Sequence, residues 1–309
     1  MYLSVVIPVY NESANLDHLC SRLLPILDGL HKPYEVILIN DGSKDNSQAI
    51  LDRIHAARTD VIKVIQFARN YGQHPAIMAG FEMAQGEVVV TMDADLQNPP
   101  EEIPKLLACI DAGHDVVGGY RGTRLDSAYR KFVSKISNVV RERITKIEMR
   151  DQGCMLRAYK RNIIRLIVES NESTPFVTVL AQYFASNPTE IEVAHEERHG
   201  GVSNYNLYKL IRYNFDLFTG FSLVPLQLFT IFGMILSALS GVLVLILALR
   251  RIFIGPESEG LFTLFGILFL LVGVTITGLG IIGEYVGRIY LEVRQRPRYV
   301  IRKVLGNNK

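Results

Sequence analysis

Along residues 1–200, short apolar runs alternate with segments whose apolar positions recur at helical spacing. Leu3–Val9, Tyr34–Asn40, Val61–Phe67, Glu87–Met92 and Asp115–Gly118 read as strands, most of them apolar at nearly every position. Continuous apolar runs suit strands covered on both faces. Helical patterns near Ala14–Leu30, Ser47–Ala57, Ala76–Ala84 and Glu101–Ala112 lie between them. The alternation predicts an α/β fold, a doubly wound and mostly parallel sheet.

The pattern changes after residue 200. Ser222–Leu249 is 28 residues without a charge and Gly260–Gly283 is 24 more, each long enough for a membrane span of roughly 20 residues. Only Arg250–Glu259 separates them, with Gly255-Pro256 as a turn signal, so the two form a hairpin whose flanks share one side. After Glu284 seven basic residues face one acid, Glu292, which puts the tail in the cytoplasm; Arg250 and Arg251 oppose this and are outnumbered. Between Arg121 and Arg165 thirteen basic residues accompany four acids, with Tyr129, Phe132, Val133, Ile136, Val139, Val140 and Ile144 at helical spacing. That is the pattern of an amphipathic helix on an anionic leaflet, and Tyr205–Phe221 reads similarly as an interfacial lead-in. The expected organisation is a cytoplasmic domain over 1–200, the lead-in over 201–221, spans over 222–249 and 260–283 joined by a short loop over 250–259, and a basic cytoplasmic tail over 284–309. Both termini are expected in the cytoplasm of a multi-pass inner (plasma) membrane protein.

Composition narrows the chemistry. The 309 residues are 49% hydrophobic and 21% charged, with a net charge of +2, which excludes a disordered chain and argues against a dedicated nucleic-acid binder. Cys20, Cys109 and Cys154 fit no metal spacing and no disulfide scaffold. Leu3–Val9 lacks a basic n-region, so a secretory signal is not expected.

Ligands of doubly wound sheets bind beyond the carboxyl ends of the strands, and the polar residues fall there. The four leading strands run into Pro8-Val9-Tyr10-Asn11-Glu12, Asn40-Asp41-Gly42-Ser43, Arg69-Asn70-Tyr71-Gly72 and Asp93-Ala94-Asp95-Leu96-Gln97. Two carboxylates at Asp93 and Asp95 after a buried strand can gather around one hard divalent cation, Mg²⁺ or Mn²⁺, whose remaining sites take phosphate oxygens and water. No Walker A loop, G-x-G-x-x-G turn or nucleophilic Ser with a His partner is present. Metal-assisted chemistry on a phosphate-bearing substrate is what remains.

Taken together these motifs, with Gly283-Glu284-Tyr285-Val286-Gly287-Arg288, resemble the family 2 glycosyltransferases of GT-A fold, and within them the polyisoprenyl-phosphate glycosyltransferases with a C-terminal membrane hairpin. Arg69–His74, Asp95–Pro104 and Gly153–Tyr159 look most like the undecaprenyl-phosphate 4-deoxy-4-formamido-L-arabinose transferases of lipid A modification. Dolichol-phosphate mannose synthases and bactoprenol glucosyltransferases look similar but less close. The resemblance implies a nucleotide-sugar donor, UDP-linked, and a polyisoprenyl phosphate acceptor at the membrane. It implies that Asp41 reads the base, that Pro8, Tyr10 and Glu12 line the nucleoside pocket, that Asp95 ligates the metal with Gln97 completing its shell, and that Asp93 faces the nucleotide ribose or that metal shell. Arg121 and Arg130 would meet phosphate, and Asp151 and Gly153 would sit near the sugar. The family's Arg-x-x-Gly-x-Ser-Lys pattern departs here: Arg198-His199-Gly200-Gly201-Val202-Ser203 ends in Asn204, so either Arg198 and neighbours such as Lys209 serve the lipid phosphate or the acceptor site differs.

A lipid monophosphate attacking the anomeric carbon directly inverts its configuration and needs no strong base, because the phosphate is already anionic. His74 and His199 therefore read equally well as loop or packing residues. Two rivals have discriminating features. A processive polysaccharide synthase would carry more spans and a Gln-x-x-Arg-Trp segment, and the chain has no Trp. A non-catalytic membrane partner would have no need of Asp93, Asp95 and Gln97 together. Gly233, Ser237 and Gly241 place small residues on one span, a face that permits a homo-oligomer.

Overall fold

The computed structural model describes residues 1–121, 149–151, 153–170, 172, 176–196, 224–253, 255, 261–294 and 296–306. The chain divides into two units, Met1–Ile136 with Ile147–Asn204 and Arg296–Lys309 in the first, Ser137–Lys146 with Tyr205–Gln295 in the second.

In the first unit the apolar runs form β1 (Leu3–Val9), β2 (Tyr34–Asn40), β3 (Ile62–Phe67), β4 (Val88–Thr91) and β5 (Val116–Arg121). They are joined by α1 (Leu16–Gly29), α2 (Ser47–Ala57), α3 (Gln73–Met83) and, after a short 3-10 turn at Pro100–Glu102, α4 (Ile103–Asp111). β6 (Arg157–Lys160), α5 (Arg161–Glu169), α6 (Val177–Phe184) and β7 (Pro188–Val193) follow, and β8 (Ile301–Leu305) returns from the C-terminus. The sheet has eight strands in the order β7-β5-β6-β4-β1-β2-β3-β8. Every residue of β2 is buried, as its unbroken apolar run requires of a strand with neighbours and helices on all sides. β1 turns Leu3, Val5, Ile7 and Val9 toward one core shared with α1, α2 and α4. Val6 points the other way, onto α3.

The sheet is mixed rather than mostly parallel. β4, β1, β2 and β3 are parallel, and β5 pairs parallel with β7, but β6 runs antiparallel to both β4 and β5, and β8 antiparallel to β3. The parallel block is the part that matters for function, since it delivers four strand ends to one edge. The stretch 284–309, expected to be a basic tail, is divided between the end of a long helix and β8.

The second unit contains α7 (Val224–Phe253) and α8 (Leu261–Arg294), of 30 and 34 residues. Within α8, Ile267–Arg294 contains an 18-residue window with a mean hydropathy of 2.1, almost none of it buried; among the described residues this is the one helix long and apolar enough, by length and composition, to cross a membrane. The described apolar stretch of α7 is Leu226–Leu236. Gly278 of α8 packs on the Phe229 ring of α7 so closely that a Cβ there would lie 2.2 Å from the ring. The basic segment 122–148 and the lead-in 201–221 lie outside the described residues.

Gly80 is where α3 meets β1: a Cβ on it would stand 2.3 Å from Val6 Cγ1. Gly80→Ala should therefore destabilise the first unit by about 1–3 kcal/mol through overpacking, read as a lowered denaturation midpoint.

Candidate active site

Strand order reverses between β1 and β4, the adjacent parallel strands from which the chain proceeds in opposite directions across the sheet. A crevice outside their carboxyl ends is the position such sheets offer to ligands. The loop after β1 is laced to the loop after β2. Asn11 N–H donates to Ser43 Oγ at 3.0 Å, Glu12 N–H to Ser47 Oγ at 3.1 Å and Ser13 N–H to Asp45 Oδ2 at 3.0 Å, while Lys44 N–H donates to Asn11 Oδ1 at 2.8 Å. Asn11 adopts a left-handed φ of 56°, which Asn tolerates better than most residues. Pro8 is partly buried at the end of β1, Tyr10 is exposed, and Glu12 accepts from Asn15 Nδ2 at 2.6 Å.

Asp41 is 2% exposed at the end of β2. Its Oδ1 accepts from Tyr71 N–H at 2.7 Å and its Oδ2 from Gly72 N–H at 2.8 Å. Burial pushes the carboxyl above its usual range, and the two backbone donors pull it back. The next residue, Gly42, has φ 65°, and a Cβ on it would fall 2.3 Å from the Arg69 carbonyl carbon. Only glycine lets the second and third strand-end loops approach this closely.

The loop after β4 carries the paired carboxylates. Asp93 Oδ1 accepts from Gln73 Nε2 at 2.6 Å, so the third loop also reaches the fourth. Asp95 Oδ1 accepts from Gln97 N–H at 3.2 Å, and between them Leu96 holds a φ of 59°, a strained conformation for a branched apolar residue. Leu96 keeps that conformation while its side chain is buried in the core.

Opposite this loop stands an ion pair. Arg121, ending β5, makes a two-point contact with Asp151: Nε to Oδ2 at 2.6 Å and Nη2 to Oδ1 at 3.0 Å. Asp151 holds the Arg121 pKa above its ordinary value, and the negative charge of Asp93 acts in the same direction. Asp151 also accepts from Gly153 N–H at 3.0 Å. Behind it the fully buried Arg157 donates to the Asp151 carbonyl at 2.6 Å and the Cys154 carbonyl at 2.9 Å. Thr91 Oγ1 donates to the Met155 carbonyl at 2.7 Å, fixing this segment to β4.

Of the residues expected at the site, the structure brings Pro8, Tyr10, Glu12, Asp41, Asp93, Asp95, Gln97, Arg121 and Asp151 to the strand-end loops of one sheet edge and the segment packed on it. Arg121 is engaged with Asp151, and Asp41 with the third loop. Arg130 and Arg198, like His199 and Asn204, lie outside the described residues. Among the described residues no cluster of three or more His, Cys, Asp or Glu is poised to hold a metal. A pair of carboxylates still fits Mg²⁺ or Mn²⁺, because such ions are commonly held by one or two carboxylates with phosphates and waters completing the shell.

Gln73 and Arg157 were not singled out from sequence. Gln73 had a signal in its position, directly after Tyr71-Gly72 at a strand end; Arg157 had one as a lone cation in the otherwise apolar run Cys154–Tyr159. His74 resolves as a packing residue. Its ring lies edge-on to Phe176 at 5.8 Å, its Nδ1 is buried with no hydrogen-bond partner, and burial lowers its pKa to about 4.

Residues 4–168 match the family described as Glycosyl transferase family 2. The chain belongs to that family and is a glycosyltransferase. It is 48% identical to the undecaprenyl-phosphate 4-deoxy-4-formamido-L-arabinose transferase of Serratia proteamaculans (strain 568), over 98% of this chain and 94% of that protein. It is 46% identical to the enzyme of the same name from Shewanella sediminis (strain HAW-EB3), over 98% and 92%. Among solved structures, glucosyl-3-phosphoglycerate synthase from Mycobacterium tuberculosis is similar with a TM-score of 0.49 and 17% identity, over 71% of this chain and 78% of that one.

Two outcomes follow from the geometry. Asp151→Asn keeps the shape of the Arg121 contact but strips its charge, and should lower kcat/KM about 100-fold through misplacement of the guanidinium. For His74, the neutral ring is favoured in the folded state, with a pKa near 4 against 6.5 when unfolded. The stability it contributes is whole above pH 6.5 and is lost as pH falls toward 4. His74→Phe should therefore flatten the decline of the unfolding midpoint across that window.

Proposed function

We propose that the protein transfers 4-deoxy-4-formamido-L-arabinose from a UDP-linked donor to undecaprenyl phosphate at the cytoplasmic leaflet, with inversion at the anomeric carbon. The observation that carries this reading is identity with transferases of that name through 98% of the chain, sheet and long helices alike. The geometry supports the class of reaction. Pro8, Tyr10 and Glu12 line the nucleoside side of the crevice. Asp41 still has lone pairs beyond the two that Tyr71 and Gly72 use, enough to accept from a base N–H. Asp95, with Asp93 and Gln97 beside it, would hold Mg²⁺ or Mn²⁺, which supplies charge neutralisation for the departing diphosphate.

The side chains then divide the remaining tasks. Arg121 turns its positive charge to the donor phosphates while Asp151 fixes its orientation and presents a carboxylate edge to the sugar. Arg130 and Arg198 serve the donor or acceptor phosphates. The acceptor phosphate carries about 1.5 to 2 negative charges at neutral pH, so it attacks without a protein base. A neutral, packed His74 fits a reaction with no such requirement.

Two crossings suit the chain path. Residues up to Asn204 and residues from Arg296 belong to the same unit, and β8 pairs directly with β3. A single crossing between them would place two hydrogen-bonded strands on opposite sides of a bilayer, which supports an even number of crossings. α7 and α8 supply two helices of about 45 and 51 Å, at 1.5 Å per residue, against a hydrocarbon core of about 30 Å.

Purified protein in lipid nanodiscs, given undecaprenyl phosphate and a panel of nucleotide-sugars, should form a lipid-linked product with UDP-4-deoxy-4-formamido-L-arabinose in the presence of Mn²⁺ or Mg²⁺. Asp95→Ala should reduce the rate at least 1000-fold. Preferential use of UDP-glucose would move the reading to a bactoprenol glucosyltransferase, and full activity of Asp95→Ala would end the metal assignment.

A further inference from the structure

The chain leaves α8 at Arg294 and rejoins the first unit at Arg296. Edge strands expose unpaired backbone groups, and β8 covers that of β3, with Leu305 opposite Val64, Val304 opposite Ile65 and Lys303 opposite Gln66. The contacts do not stop where β3 does. A register shift falls between Gln66 and Phe67, and beyond it Ala68 N–H donates to the Val300 carbonyl at 2.9 Å. The Tyr299 ring stacks on Phe67 with centroids 4.8 Å apart and planes 10° from parallel. Phe67 in turn meets Tyr71 edge to face at 5.7 Å. Tyr299 Oη donates to Glu82 Oε2 at 2.5 Å, on α3. Arg298 lies 3.9 Å from the same carboxylate and donates from Nε to the Glu172 carbonyl at 2.7 Å.

These contacts hold the start of one loop, Ala68–Gly72, at Phe67 and Ala68, and through Glu82 they tie the same residues to α3, the helix into which that loop runs. It is the loop whose Tyr71 and Gly72 N–H groups hold Asp41, and Gln73 just after it holds Asp93. We infer that residues 298–300 are a strap that positions this loop for donor binding, with Tyr299 as the principal positioning residue. Donor affinity then depends on a segment that directly follows a helix of membrane-spanning length. A strand that merely capped the sheet edge would need β8 alone; Arg298, Tyr299 and Val300, which make the Glu82 contacts, the stack on Phe67 and the Ala68 bond, all precede β8. The inference rests on the donor site proposed above.

The test uses the full-length protein in nanodiscs, with UDP and Mn²⁺ as the binding probe and the transfer assay for kinetics. Tyr299→Ala should weaken UDP binding and raise donor KM about five- to ten-fold, leaving kcat and acceptor KM within two-fold. Tyr299→Phe, which keeps the stack, should recover most of the affinity. Leu305→Ala, at the far end of β8, should lower the melting temperature without changing donor KM. If Tyr299→Ala does not fold, Glu82→Ala carries the test with an expected two- to three-fold rise. Unchanged donor KM in a folded Tyr299→Ala or Glu82→Ala overturns the strap while the wild type still binds UDP. Equal KM changes in Leu305→Ala and Tyr299→Ala also overturn it, since general loosening of the strand would then account for both. Wild-type protein that binds no UDP overturns the donor site itself, and the strap with it.

Discussion

Asp41 is a carboxylate out of water, held between the ends of two neighbouring parallel strands by the N–H groups of Tyr71 and Gly72. A buried ionised group is tolerated only when such donors satisfy it, so the bond pair fixes where the third loop stands relative to the second. The glycine beside it allows the backbones to meet, and Gln73 carries the same loop across to Asp93. Serine hydroxyls and Asp45 bind the first loop to the second in turn. The crevice is thus a set of mutually braced backbones, the kind of preorganisation that transfer chemistry demands of a rigid scaffold.

Much of this was readable along the chain because burial on both faces leaves a plain trace. Leu3–Val9 and Tyr34–Asn40 are strands from end to end, as their apolar runs required, and Ser47–Ala57 is a helix with the expected ends. The candidate acids were legible for a related reason, since strand ends in a parallel sheet are where polar residues must appear if they are to face one crevice. What was not legible depends on contacts between distant segments. Nothing local in Ile301–Leu305 distinguishes an edge strand from a basic tail, and the pairing with β3 is decided by a surface formed more than two hundred residues earlier. Likewise Arg121 carries no sign in its own neighbourhood that Asp151 will take it; that pair exists because β5 and the segment before β6 are brought together by the fold.

The antiparallel insertion of β6 has a chemical consequence. It places Asp151, Gly153 and Cys154 on the chain entering β6, next to the loop that leaves β4, so that a third carboxylate and a guanidinium join Asp93 and Asp95 at that edge. Arg157 makes this possible by satisfying two carbonyls of the segment from within the core.

The proposed transfer requires the nucleotide and its metal to lie across the carboxyl ends of β1, β2 and β4. A structure of the full-length protein in nanodiscs with UDP and Mn²⁺ tests it most directly. The expected result is the base beside Tyr10 and Asp41, with Mn²⁺ bonded to Asp95 and to the diphosphate. Nucleotide bound at any other edge of the sheet, or a diphosphate whose metal makes no contact with Asp93, Asp95 or Gln97, would contradict the account.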